Sequence, residues 1–210
     1  MEAVAPVQGV SQTSLASPSP TKHQSLLFPS LISRLSGVER LSVLDVGPAF
    51  PETVEFFSRF RCRLHFADLY SEPLVLQGSA HLDPEELRVA FERSMALPRN
   101  TAFDLCLLWD FPNYVDDRAL RALNDVLRPH VHGRTVGHGF AVRTADTRIR
   151  NQWYGVEQAH LFNIRQPGVA QSRFFPHPQA ILINLLTCFD IDRGMLLPDG
   201  RLEVLLNAVV

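Results

Sequence analysis

Apolar and polar positions alternate along most of this chain in blocks of strand and helix length. Leu41 to Val46 is a continuous apolar run of the kind a strand buried on both faces requires, and it breaks at Gly47. A helix over 51–60 is predicted next, with Pro51 in its first turn and Glu52 near its positive end. "CRLHFADLY" reads as a second strand ending at Asp68, and Asp83, Pro84, Glu85 and Glu86 mark the start of a helix whose body runs from Leu87 to Met95. "FDLCLLW", residues 103–109, is the clearest buried strand. The leucines of "VDDRALRALNDVL" recur at the spacing of one helical face behind an acidic cap. "TVGHGFAV" reads as a further strand, weakened by Gly137 and Gly139.

Strand alternating with helix predicts right-handed crossovers and a mostly parallel sheet with helices on both faces, an α/β three-layer sandwich. At the C-terminal end, "HPQAILINLLT" reads as a helix. "FDIDRGMLLPDGRLEVLLNAV" reads as two antiparallel strands joined across Pro198, Asp199 and Gly200. Residues 144–176 are polar, aromatic and irregular, and are expected to lack regular structure. Residues 1–24, rich in Ser, Pro, Gln and Thr, lack the apolar periodicity that would offset the entropy of ordering and are expected to be a flexible tail. "SLLFPSLISRL" from Ser25 is expected to be a lead-in helix on a single domain spanning 25–210.

Composition narrows the function only by exclusion. A formal charge of −2 gives no broad attraction to nucleic acid or anionic membrane, so neither is an expected partner. Cys62, Cys106 and Cys188 are odd in number and far apart, which argues for reduced core thiols rather than a disulfide framework or a zinc cluster. No run approaches the length of a membrane span and no secretory signal is evident, so a cytoplasmic protein is expected. The histidines do not have the spacing of a closed ligand set, and no metal is expected.

The chemistry is expected at the carboxyl ends of the parallel strands, where ligands bind in open α/β sheets. Asp45 closes the first strand two residues before Gly47. An acid there suits a ligand with a cationic amino group better than one with a pyrophosphate. Asp68 closes the second, where a carboxylate can accept hydrogen bonds from both hydroxyls of a ribose. Each also has a purely structural reading, Asp45 as an acceptor for the backbone amides of its own turn.

At these residues the sequence resembles the class I, Rossmann-like S-adenosylmethionine-dependent methyltransferases. "VLDVGPAF" is similar to their first motif, "LHFADLY" to their second strand with its ribose-binding acid, and "FDLCLLWDFPNYVDDRALRALNDVLRP" to their fourth strand and the helix after it. "HGRTVGHGF" is similar to their fifth strand, and the terminal strand pair to their antiparallel hairpin. The resemblance covers about residues 38–210 and implies a seven-stranded sheet binding S-adenosylmethionine. It implies that Asp45 and Gly47, with Pro48 and Ala49 in the same turn, flank the methionine end of the cofactor and that Asp68 holds its ribose. Leu69 and Tyr70 would border the adenine, and Trp109 and Asp110 would line the floor facing the substrate. The substrate implied is a small molecule or a protein, with Asp110, Tyr114 and His138 as catalytic candidates. Tyr114 has an alternative role packing beneath the helix that follows it.

The first motif departs from the family pattern. Ala49 stands where a glycine would leave room for a ligand, and Pro48 and Pro51 remove two backbone donors from the turn. No counterpart of the family's third-strand adenine contacts is recognisable, although Arg93 and Ser94 lie in the relevant region. These departures keep a second expectation open: a non-catalytic methyltransferase-fold protein, a pseudoenzyme acting as an interaction or adaptor domain or as a homodimer. Arg143, Arg148 and Arg150, close to Trp153 and Tyr154, are expected to form a solvated loop, with a substrate lid as the alternative.

Overall fold

A computed structural model describes residues 20–148, 150–166 and 173–210. Its centre is a six-stranded sheet. The strands are β2 (Leu41–Asp45), β3 (Cys62–Phe66), β4 (Leu105–Trp109), β5 (Val136–Val142), β8 (Phe189–Leu196) and β9 (Arg201–Ala208), in the order β3-β2-β4-β5-β9-β8. β3, β2, β4 and β5 run parallel, and β9 is antiparallel to both β5 and β8. The parallel core and the C-terminal hairpin are therefore as expected, but the strand count is six and not seven. Among the described residues no strand lies outside β3. The chain there forms α3 (Pro73–Leu76) and α4 (Pro84–Met95) instead.

Every residue of β4 and β5 is buried, which is why their sequences read as unbroken apolar runs with only small or paired polar residues among them. α4 begins with a capping box in which Asp83 accepts from the Glu86 amide and Glu86 accepts from the Asp83 amide. It packs on α5 (Asp117–Leu127), whose leucines and alanines line one face and whose first turn is capped by Asp116 at 2.9 Å from the Ala119 amide. α6 (Gln179–Leu185) lies against α5, β5 and β8.

A second, three-stranded antiparallel sheet lies over one end of the first. It consists of β1 (Thr21–Gln24), β6 (Trp153–Gln158) and β7 (Leu161–Arg165), in the order β1-β7-β6. The irregular loop expected over 144–176 therefore contains a hairpin. Tyr154, Val156, Phe162 and Ile164 alternate inward and are buried, giving it a hydrophobic face to dock. β1 comes from the end of the segment read as a tail; residues 1–19 lie outside the described residues. α1 (Phe28–Arg34) follows β1 and is the expected lead-in helix, with Phe28 and Leu31 fully buried.

The crossing from β1 to α1 is fixed by one carboxylate inside the core. Glu203, in mid-β9 and fully buried, accepts from the Ser25 hydroxyl, from the Leu26 amide at 3.1 Å and from His138 Nε2 at 2.9 Å. Burial by itself would raise this carboxyl. The hydrogen bonds from His138, Ser25 and Leu26 outweigh it and hold the group at about 2. His138 thus stands in the middle of β5, enclosed by the rings of Phe28, Trp109, Phe140 and Phe162.

Candidate functional site

The carboxyl ends of β2, β3 and β4 bring Asp45, Gly47, Asp68 and Trp109 together. β3 continues past its end alongside β2, with the Ala67 amide on the Asp45 carbonyl and the Leu69 amide on the Val46 carbonyl, both at 2.9 Å. Asp45 is buried. Its Oδ1 accepts from the Gly47 amide at 2.8 Å and from the Trp109 indole at 2.7 Å, while its Oδ2 is buried with no hydrogen-bond partner. Oδ1 of Asp68 is likewise buried without a partner. Burial, with the charge of Asp68 adding to it, raises the Asp45 carboxyl to about 7 despite its two donors.

Backbone strain marks the same place. Asp68 has φ 42° and Trp109 has φ 51°, two of four described non-glycine residues in the left-handed region. At Trp109 the twist coincides with a shift in the β4–β5 register. It is tolerated because the opposing residue is Gly139, where a side chain would lie 2.9 Å from the Trp109 carbonyl oxygen. The glycine that weakens "TVGHGFAV" as a strand is what lets Trp109 turn. The turned indole lies against Gly47, where an added Cβ would meet Asp45 Oδ1 at 3.1 Å and the indole at 3.4 Å.

The second sheet closes this end. Tyr154 of β6 stacks on Trp109, with ring centroids 5.1 Å apart and planes 5° from parallel, and on its other side stacks on Phe140. The Val156 amide donates to Thr53 Oγ at 2.9 Å in the first turn of α2 (Pro51–Phe57). Glu52, beside it, accepts from Arg165 and from Asn163 at 3.2 Å and lies directly over Gly155, where any larger residue would overlap its carboxylate. Arg165 also covers the Phe50 ring. Asp45, Gly47, Asp68 and Trp109 do not line the most prominent cavities of the described surface.

The remaining predicted residues fall into two groups. Pro48 is half-buried and Ala49 exposed in the turn after β2, while Leu69 and Tyr70 are buried in a short 3-10 turn. Tyr70 does not point to solvent: its hydroxyl donates to Asp110 Oδ1 at 2.7 Å. Asp110 is buried and also accepts from Tyr154 at 2.9 Å on Oδ2, and Tyr154 in turn accepts from Arg201. Burial raises Asp110 to about 6, opposed by the charge of Arg201 and the two tyrosines. Tyr114 is buried edge-on to Tyr70 and Phe174, and its hydroxyl anchors the backbone at Arg150 and Gln152. His138 makes no hydrogen bond to this network; its Nε2 is held by Glu203, and its ring packs edge-on to Trp109 and Phe140. Arg93 and Ser94 line a separate cavity of about 300 Å³ with Glu72, Leu74, Gln77 and His81.

Two contributors were not among the predicted site residues. Tyr154 carried no motif, but its place in an alternating run with Val156 was a signal for a strand. Arg201 follows the Pro198–Gly200 turn and is buried against Asp110 and Tyr154.

No family model matches the chain, and no curated protein matches it. Solved structures do resemble it at low identity. An S-adenosylmethionine-dependent methyltransferase from Clostridium acetobutylicum ATCC 824 is 14% identical with a TM-score of 0.49, over 87% of this chain and 91% of that one. The N-methyltransferase NodS from Bradyrhizobium japonicum WM9 is 16% identical with a TM-score of 0.45, over 87% and 94%. The pyocyanin biosynthetic protein PhzM is 14% identical with a TM-score of 0.46. This chain spans 55% of its length. The functional reading rests on geometry. The parallel strands and the C-terminal antiparallel hairpin follow the order that the sequence resemblance implied, with six strands in place of seven. Among the described residues no helix is long and apolar enough to cross a membrane, and no cluster of His, Cys, Asp and Glu could hold a metal ion.

Proposed function

We propose that this is a methyltransferase-like protein that binds S-adenosylmethionine at the ends of β2 and β3, and that the β6–β7 hairpin must withdraw to admit it. The observation that carries this is the pair of buried, unpartnered carboxylate oxygens, Asp45 Oδ2 at the end of β2 and Asp68 Oδ1 two residues past the end of the neighbouring β3. Buried acceptors without donors are costly, and here the cost falls on two adjacent groups, one on a strained backbone. The residues fit the cofactor: its ammonium and ribose hydroxyls are donors of the kind both oxygens lack. When bound it would supply the methyl group, and the protein's share would be to hold it in position. The acceptor is read as a small molecule or a protein.

A second reading has its own support. Trp109 already satisfies Asp45 Oδ1 and occupies the space beside Gly47, with Tyr154 stacked on its indole. Were that closure permanent, the chain would be a non-catalytic domain working through its surface, as an adaptor or a homodimer.

The two readings separate on how binding responds to the hairpin's anchors. If only an open minority binds, the apparent affinity is reduced by the open fraction, and loosening the cover restores it. Calorimetry with S-adenosylmethionine is expected to show weak binding to the native chain and binding tighter by about threefold to tenfold in Arg165→Ala. Asp68→Ala should weaken it by about 1–3 kcal/mol. No heat from either the native chain or Arg165→Ala, with both folded, would leave the non-catalytic reading standing.

A further inference from the structure

Beyond the Asp45 end of the sheet, a cavity of about 710 Å³ opens between the start of β9 and the strand lead-in before β6. Its lining includes Arg148, Arg150, Arg201, Gln152, Phe174 and Asp199. The geometry points to a binding site for a small anion, a carboxylate or phosphate carried on a planar apolar body.

Charge is the first argument. Three guanidinium groups border the cavity; that of Arg201 is engaged by Asp199, through Nε and Nη2 each at 2.8 Å, by the Tyr154 hydroxyl and by Asp110 at 4.0 Å, which leaves those of Arg148 and Arg150. Arg148 and Arg150 have no ion-pair partner among the described residues. Guanidinium groups bind carboxylate and phosphate through paired parallel hydrogen bonds, which suits an oxyanion better than a diffuse charge.

The second argument is that the wall is built. Arg201 is buried at the rim, held by Asp199, by Tyr154 and by the Phe140 ring 4.9 Å from its guanidinium carbon. The backbone carrying Arg150 and Gln152 is fixed by both hydrogen bonds of the Tyr114 hydroxyl, to the Arg150 carbonyl at 3.3 Å and from the Gln152 amide at 3.2 Å. The Gln152 side-chain amide lies 3.1 Å from the Tyr154 hydroxyl, whose proton goes to Asp110. Phe174, set edge-on to Tyr114, supplies the one aromatic surface. The volume lies within the range of about 300–1,000 Å³ usual for small-molecule sites, with a few placed polar groups beside an apolar wall.

This inference does not depend on cofactor binding, and its test contains no nucleoside. Calorimetry of the full chain with inorganic phosphate and, separately, with benzoate should give saturable binding of at least one, with benzoate the tighter if the ring rests on Phe174. The exposed pair Arg148→Ala and Arg150→Ala, made together, should lower affinity for both probes by about tenfold or more, charge-assisted pairs being lost. Phe174→Ala should weaken benzoate and leave phosphate unchanged. The double lysine variant keeps the charge and checks that the loop is intact: it should retain phosphate binding while losing part of the benzoate affinity. Absence of saturable binding of either probe up to tens of millimolar, or an unchanged affinity in the double alanine variant, would overturn the assignment.

Discussion

Trp109→Ala is expected to bring the domain close to unfolding under native conditions. The indole is fully buried, stacked on Tyr154 and edge-on to His138 and Phe162. Truncating a buried tryptophan costs about 3–5 kcal/mol. Asp45 Oδ1 would also lose one of its two donors, adding about 1–3 kcal/mol. Against a typical total of about 5–15 kcal/mol, that leaves little margin. Trp109→Phe keeps most of the ring contact and should pay only the lost hydrogen bond. Urea unfolding of the three proteins measures this. Equal midpoints for the native chain and Trp109→Ala would mean that the indole does not hold this end of the sheet.

Glu203→Ala is expected to be comparably severe for a different reason. It would strand His138, Ser25 and the Leu26 amide, which meet at one buried carboxylate, and would release β1 and α1 from the sheet. Breaking a buried polar cluster by removing one partner costs about 3–5 kcal/mol. The pH dependence has a definite sign. Glu203 sits at about 2 in the folded chain against an ordinary 4.5. Its contribution is complete above that ordinary value and is lost as pH falls toward 2. Asp45 and Asp110 act oppositely. Raised to about 7 and about 6 from 3.8, they keep protons that the unfolded chain releases, so stability declines as pH rises from about 4 to about 7. The native chain should therefore be most stable near pH 4 to 5, and Glu203→Ala should lose much of the acid-side slope, the remainder coming from Glu52 and Asp199, which are also held below their ordinary values. A profile rising steadily from acid to pH 8 would contradict these assignments.

The parallel core was legible because burial on both faces leaves long apolar runs at 41–46, 103–109 and 135–142, separated by helices with recognisable caps. The β6–β7 hairpin was not, although its inward positions alternate. Glu157, Gln158, His160, Asn163 and Arg165 make the segment polar overall, and its partners are far away in sequence: β1 and the first turn of α2. β1 is four polar residues whose pairing only the tertiary structure could reveal. The sheet is one strand short because the chain between Asp68 and Leu105 forms only helices and turns.

At the site, the sequence singled out Asp45, Gly47, Asp68 and Trp109, and the fold gathers them. What it did not convey was direction. Trp109 was expected to line a floor facing substrate, whereas its left-handed backbone, allowed by Gly139, swings the indole onto Asp45. A one-residue change of register has no signature in a hydrophobic pattern. Glu203 and His138 show the complementary case. His138 was read as a catalytic candidate and Glu203 was not singled out; the pairing of β5 with β9 brings the two together.

Amide hydrogen exchange at Val156, with and without S-adenosylhomocysteine, tests the central claim most directly. In the closed form that amide is buried and bonded to Thr53. If the hairpin must withdraw for the cofactor to enter, adding the ligand should speed exchange at Val156 and across β6 while leaving β4 and β5 protected. Unchanged protection at Val156 under ligand saturating by calorimetry would show that the hollow is reached without opening the cover, and would contradict this account.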